Sequence, residues 1–438
     1  MTSIPALPSG SWTLGFLVFE MLCQLATLSP SLAPLRTPLR ISTFGASLLL
    51  LVLLPARAEP HPAARPAFWA IAILLVSIFH PATNNFISAI AQVAMYLAIL
   101  APLFWAARVA MDLRMLRRVF VLIWLFQTAS AAVAVLQIAV PGRFEPEIAP
   151  VYARLQANYE ESIYRRTPSG QRVLRRPTGL TDAPGGASSA GVYAVVLGAG
   201  LLLISPGILW KAAAFGGMGA GAICLYLSQV RLSMVVTAVC LFSLLAALIF
   251  RGERRMRNWL ALTVPAIAAA AFLAAVSVGG APIAERFATL FADDPSSVYY
   301  RNRGAFLEET MTELLPKYPL GAGLGRWGMM NLYFGDNKHP ERASLWAEIQ
   351  WTAWLYDGGL PLILAYLVVI VVACGFVWRL ARSPSGDGLW LYAALVLALN
   401  VGAVAATFVH PFFLSQGGME LWTLNAAVFA ASRDARQS

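Results

Sequence analysis

Arginines in three places carry the most chemistry in this chain. Arg175 and Arg176 stand just ahead of Pro177-Thr178-Gly179, and the glycine- and serine-rich stretch Gly185-Gly186-Ala187-Ser188-Ser189 follows. Guanidinium forks pair with phosphate oxygens, Ser188 or Ser189 can cap a following helix, and the first amides of that helix also favour an anion. Arg231, in Ser228-Gln229-Val230-Arg231-Leu232-Ser233, falls between two apolar runs. An arginine at that depth is costly unless it pairs, snorkels to the interface or serves a ligand. Arg301 and Arg303 open a stretch that holds Glu308, Glu309 and Glu313. Each site also has a plain structural reading: a solvated basic loop, a snorkelling side chain, and surface pairs with Glu308 or Glu309. Three such sites in one chain are more informative than any one of them.

Proton chemistry would fall to an acid beside an apolar run, and Glu20, Glu348, Asp357 and Glu420 occupy such positions. Glu348 lies between Trp346 and Trp351, an aromatic pattern that marks a membrane interface. Partial burial there raises a carboxyl pKa and suits the group to accept a proton. The competing reading is an ion pair with one of the arginines. Glu20, Asp357 and Glu420 read as structural, and His339, in a polar run ahead of Pro340, as a solvated loop histidine. The four histidines lack metal-ligand spacing, and neither a Walker loop nor a GxSxG elbow is present. Cys23, Cys224, Cys240 and Cys374 fall inside apolar runs, as packing residues do.

The elements that must position these residues are membrane helices. Of 438 residues, 58% are hydrophobic and 12% charged, and the mean hydropathy is +0.66, which leaves too little polar surface for a soluble fold of this size. A spanning helix takes about 20 apolar residues. The apolar runs predict twelve spans, near 12–29, 39–55, 67–82, 86–104, 119–140, 188–206, 211–229, 232–250, 258–280, 350–377, 388–409 and 413–431. The run containing Glu20 follows a tail without basic residues and reads as a span, not a cleaved signal peptide. The expected fold is therefore an all-α polytopic membrane protein with a single membrane domain over residues 1–438.

The formal charge of +10 does not call for nucleic acid, because its placement reports orientation. With the N-terminus inside, the cytoplasmic segments carry 15 basic residues: Arg57, Arg65, Arg108, Arg114, Arg117, Arg118, Lys211, Arg251, Arg254, Arg255, Arg257, Arg379, Arg382, Arg433 and Arg436. Against them stand five acids, Glu59, Asp112, Glu253, Asp387 and Asp434, so 15 minus 5 already equals the net charge. The short outside turns hold three basic residues, Arg36, Arg40 and Arg231, as the positive-inside rule requires. Arginine outnumbers lysine 29 to 3 in an alanine-rich chain, a bias typical of GC-rich bacterial genomes, so arginine in place of lysine says little at any single site.

Two segments too long and polar to be turns, 141–187 and 281–349, fall on the periplasmic side by this count. The first holds seven arginines against five acids. In the second, Leu307, Met311, Leu314 and Leu315 follow helical spacing, which predicts an amphipathic helix over about 303–315. Pro316 and Pro319 are expected to stop it, and Gly321, Gly323 and Gly325 to allow a tight path after it. The two halves of the chain show no internal repeat, which weighs against a transporter.

The chain resembles the bacterial O-antigen ligase and O-antigen polymerase superfamily over roughly residues 172–375. The likeness rests on Arg176 with Gly179 ahead of span six and on Ser228 and Arg231 ahead of span eight. It continues through Arg303, the loop helix and the turn Pro319-Leu320-Gly321-Ala322-Gly323-Leu324-Gly325, and ends in Tyr356-Asp357-Gly358-Gly359-Leu360. The resemblance implies a GT-C type glycosyltransferase of the bacterial inner membrane, acting on the periplasmic side without metal, nucleotide sugar or other cofactor. The implied donor is a glycan on undecaprenyl pyrophosphate. The implied acceptor is either a second such glycan, giving a polysaccharide polymerase, or lipid A-core, giving an O-antigen ligase of lipopolysaccharide synthesis. Arg176, Arg231 and Arg303 match the family's outward arginines and are expected to bind the pyrophosphate, with Arg175 and Arg301 as secondary candidates.

Family ligases carry a histidine followed by asparagine some ten residues before the Gly-Leu that enters span ten, and here that place falls near Glu348. Glu348 is thus the expected catalytic base, with His339 second, and the missing pair tilts the reading from ligase to polymerase. Both termini are expected to be cytoplasmic, and a chain-length regulator is the partner a polymerase would have. The rival of a different class is a lipid or solute transporter built round the same charged cavity.

Overall fold

The computed structural model describes residues 9–437, apart from 57, 149–163, 167–171, 184, 205–206, 293, 337 and 384–387. Among the described residues, twelve helices of 14 residues or more follow one another where the apolar runs lie. We number them α1 (Ser11–Ala26), α2 (Arg36–Leu53), α3 (Ala64–Ser77), α4 (Phe86–Leu100), α5 (Leu113–Ala139), α6 (Ala187–Ile204), α7 (Ile208–Ser228), α8 (Arg231–Arg251), α9 (Arg254–Gly279), α10 (Gln350–Ala381), α11 (Leu389–Ala406) and α12 (Gln416–Gln437). Nine helical stretches are long and apolar enough to cross a bilayer among the described residues; α2 reaches that length with the 3₁₀ turn Pro30–Leu35 and α4 by running on to Arg108. Helices α1 and α3 are apolar but shorter, and α12 is not one of the nine. The protein is a multi-pass helical membrane protein.

Helices α6 and α11 are buried on almost every face and form the middle of the bundle. The side chains of Phe79, Leu209, Phe242, Leu262 and Leu273 are mostly exposed, as lipid-facing positions are, since lipid replaces water around them. Consecutive helices run up and down, so the connections gather at two ends. At one end Arg108 donates to the Leu54 carbonyl at 2.9 Å, Arg433 to those of Ala107 and Val109, and Arg251 to that of Ser383. These are segments that the charge count assigns to the inside.

The opposite end holds both long segments. Arg36 pairs with Glu147 at 3.0 Å and Arg40 with Asp182, which ties the first segment to α2. An antiparallel hairpin, Tyr164–Arg166 with Arg172–Arg175, lies in it, a small departure from an all-helical chain. The second segment opens with the helix Ala281–Ala292. The expected helix over 303–315 is longer, running from Pro295 to Lys317 through alternating α and π turns. Asp294 starts it early by accepting from the Ser297 amide at 2.9 Å, with Pro295 at the first helical position. Pro316 does not stop it, because a proline is tolerated in the first turn of the short helix Leu315–Lys317; the chain leaves the helix at Tyr318.

Helix α10 is not the continuous span that its apolar run predicts. Gly359 has φ 65° and ψ −158°, outside helical values, and a Cβ there would lie 2.2 Å from the Pro319 carbonyl oxygen. The break frees backbone groups that the glycine-rich turn then satisfies: Leu360 N–H donates to Pro319 at 2.9 Å, and Ala322 N–H to Tyr356 at 2.8 Å. Gly323, at φ 92°, brings that turn so close to Ala82 that a Cβ would meet its backbone at 2.4 Å.

Candidate functional site

Arg176 is placed by a side-chain clamp. Gln137, near the end of α5, accepts from the Thr178 and Gly179 amides at 2.9 Å each and donates to the Gly179 carbonyl at 3.0 Å. This pins Arg176-Pro177-Thr178-Gly179 against the bundle. The Arg176 Nε is buried without a hydrogen-bond partner, and burial, reinforced by the charge of Arg286, brings its pKa down to about 10. It stays protonated at neutral pH, in surroundings that a bound anion would relieve.

Arg231 is the first residue of α8. The preceding Gln229 takes a left-handed conformation, φ 54°, which ends α7 and turns the chain at once into α8. Arg231 and Gln229 share a narrow pocket with Arg286 of the helix Ala281–Ala292 and with Tyr226, Met234 and Phe287. The last three also line a second space, an apolar groove of about 430 Å³ between α7, α8 and α9. The groove thus leads from lipid-facing helices to a set of arginines.

Arg303 is elsewhere. It forms an ion pair with Glu348, and both line a cavity of about 390 Å³ with Gln92, Trp327, Trp346 and His410. Burial lowers the Arg303 pKa. The floor of this cavity is stiff: Asp357, buried in α10, accepts from Gln92 at 2.9 Å, Tyr96 at 2.7 Å and Trp327 at 2.9 Å. A carboxylate with three neutral donors holds α4, α10 and the glycine-rich turn together, the structural role expected for it.

A third space of about 450 Å³ lies behind Met329, Met330 and His410, which both cavities share. Gln24, Gln127, Ser130, Tyr193 and Glu420 line it. Glu20 of α1 and Glu420 of α12 are buried close to each other beside it, and Gln127 is bonded to Glu420.

The expected arginine set is therefore divided. Arg176 and Arg231 both neighbour Arg286, whereas Arg303 sits with Glu348 and His410. Arg175 leaves the group, pairing with Glu145 and donating to the Pro146 carbonyl. Arg301 belongs to the π turn Tyr300–Gly304, and its side chain lies outside the described residues. His339 is exposed and borders neither cavity. The Glu348 carboxylate is occupied by a guanidinium, as the ion-pair reading of the sequence anticipates.

Two residues were not singled out by the sequence. Arg286 lies in an amphipathic stretch where it passes for a solvent-facing charge, and His410 in the nine-residue link between α11 and α12. Neither residue stands in a pattern that sets it apart. No family model and no curated protein matches this chain.

Proposed function

We propose that this protein transfers a glycan from undecaprenyl pyrophosphate, on the periplasmic face, to the end of a second lipid-linked glycan, lengthening a polysaccharide. What supports this most is the continuity of the apolar groove with the Arg231 and Arg286 pocket through Tyr226, Met234 and Phe287. A long isoprenoid fits an apolar groove open to lipid, and a pyrophosphate suits guanidinium groups at its end. The pocket itself holds only about 10 Å³, so the pyrophosphate sits at its mouth, against the guanidinium edges. There Arg176, Arg231 and Arg286 stabilise the charge that grows on the leaving pyrophosphate. The glycan extends past Leu232 and Ser233, which line the space leading to His410, and into the cavity of Arg303 and Glu348.

The test is transfer in proteoliposomes supplied with an undecaprenyl-pyrophosphate-linked repeat unit, reading polymer length and released undecaprenyl pyrophosphate per folded enzyme. Arg176→Ala, Arg231→Ala and Arg286→Ala should each lower transfer at least tenfold, about 1.4 kcal/mol or more of transition-state stabilisation. Lysine should rescue only in part, because it lacks the bidentate fork. Normal transfer by all three alanine variants would place the pyrophosphate elsewhere. Transfer to lipid A-core alone would make the enzyme a ligase, and movement of the intact donor across the bilayer without bond breaking would make the protein a transporter.

A further inference from the structure

We propose that His410, not Glu348, takes the proton from the acceptor hydroxyl, and that the 450 Å³ cavity seats the acceptor as a hydroxyl-rich glycan end. The proposal rests on the glycan-transfer reading above and deepens it.

His410 borders three spaces at once: the cavity of Arg303 and Glu348, the 450 Å³ cavity, and the narrow space lined by Leu232 and Ser233 of α8. Its backbone is fixed on both sides, its amide donating to Ala406 at 3.1 Å and its carbonyl accepting from Phe412 at 2.8 Å. The ring stands edge-on to Phe412, centroids 5.9 Å apart, and among the described residues no hydrogen bond occupies either ring nitrogen. His410 thus borders cavity space with both ring nitrogens unengaged, where a donor path and a second cavity meet. Glu348, by contrast, is held in an ion pair with Arg303 through one of its oxygens.

The second cavity has the lining a sugar needs. Gln24, Thr27, Gln127, Ser130 and Tyr193 offer donors and acceptors at spaced positions, and Met95, Met329 and Met330 offer apolar faces for a ring. Its volume lies in the range of small-ligand sites, about 300 to 1,000 Å³.

The step balances without a further reagent. The acceptor O–H gives its proton to His410, and the oxygen forms a bond to the anomeric carbon of the donor. The bond from that carbon to the phosphate oxygen breaks, and its electron pair leaves with the pyrophosphate. The imidazolium then returns the proton to the released pyrophosphate or to solvent.

The titratable groups round the ring are Arg303 and Glu348 in the first cavity, Cys23, Arg40, Asp182, Tyr333 and Glu420 in the second, and Tyr193 and Cys240 between. The protein around the ring, with the charge of Arg303 added, lowers the imidazole pKa below its usual value, although the residue itself is exposed to the cavities. The ring is therefore neutral in the free enzyme at physiological pH. Activity should be lost as pH falls through the lowered pKa, and a bound pyrophosphate, being negative, should move the limb upward in the complex.

The experiment is the proteoliposome assay with His410→Gln and His410→Ala, each normalised to folded, inserted enzyme and to donor binding. Transfer by the Gln variant should fall about 10² to 10⁴-fold with donor binding kept, and added imidazole should restore part of the activity of the Ala variant as its neutral form increases. A Gln variant within about threefold of wild type, or an Ala variant that imidazole does not rescue, overturns the role of His410 while wild-type transfer leaves the parent reading standing. A wild-type protein that transfers nothing removes both. Should the Gln variant fail to fold, the wild-type profile decides: an acid limb in kcat no higher than that in kcat/KM overturns the role.

Discussion

Glu348 and Arg303 share one ion pair at the wall of a cavity, each partly open to it, so their attraction is screened and contributes about 1 kcal/mol or less. The value of the pair lies in where it holds the guanidinium. Glu348→Gln keeps a hydrogen-bond acceptor but removes the counter-charge, so transfer should drop less than tenfold, well short of the loss expected for His410→Gln. Glu348→Ala should instead lower the yield of folded protein, which size-exclusion profiles of detergent extracts would report. A hundredfold loss in the Gln variant at normal yield would return the base role to Glu348. The ion pair was one of two readings open from sequence, since a residue shows its charge but not which chain end will reach it. Arg286 and His410 were illegible for the same reason. Their neighbours, Arg176 more than a hundred positions before one and Arg303 more than a hundred before the other, come near only after folding.

Helices were the most legible elements, because each apolar run had room for only one element that closes its own hydrogen bonds in lipid. Breaks within them were not. Gly358-Gly359 inside a 32-residue helix looked like part of an apolar span, yet φ 65° at Gly359 is a position only glycine takes without strain. Gly359→Ala should destabilise the extracted protein by about 1 to 3 kcal/mol, since its Cβ meets the Pro319 carbonyl and the left-handed conformation is itself costly. Gly375→Ala, on the same helix with nothing within 4 Å of the new Cβ, should be neutral or slightly stabilising. Thermal melts of the two variants compare them directly, and equal melting temperatures would mean the stitch at Pro319 is loose. The early start of the loop helix was missed too: Asp294-Pro295 is a capping signal, but the polar run around it obscured it.

At the scale of the whole molecule, the proposed orientation puts both long segments and the two cavities that share His410 on the outer side. A phosphatase reporter that works only in the periplasm should be active when inserted within 281–349 and inactive when fused after Arg255. The reverse pattern would turn the molecule over and put the cavities beyond the reach of a periplasmic donor. The basic residues decide this more than hydropathy does, and their cytoplasmic group is the one that Arg108, Arg251 and Arg433 tie together. Arg433 in α12 reaches back across 326 positions to the Ala107 carbonyl, and α12 also packs on α1, α4 and α5. Those early helices leave the ribosome with that seat vacant. At about 5 to 20 residues per second, it stays vacant for roughly 16 to 65 s, with Glu20 lacking Glu420 and the carbonyls of residues 107 and 109 unclaimed. Assembly of this bundle is therefore a matter of waiting: its first five helices must be kept from aggregation or degradation until the last one arrives.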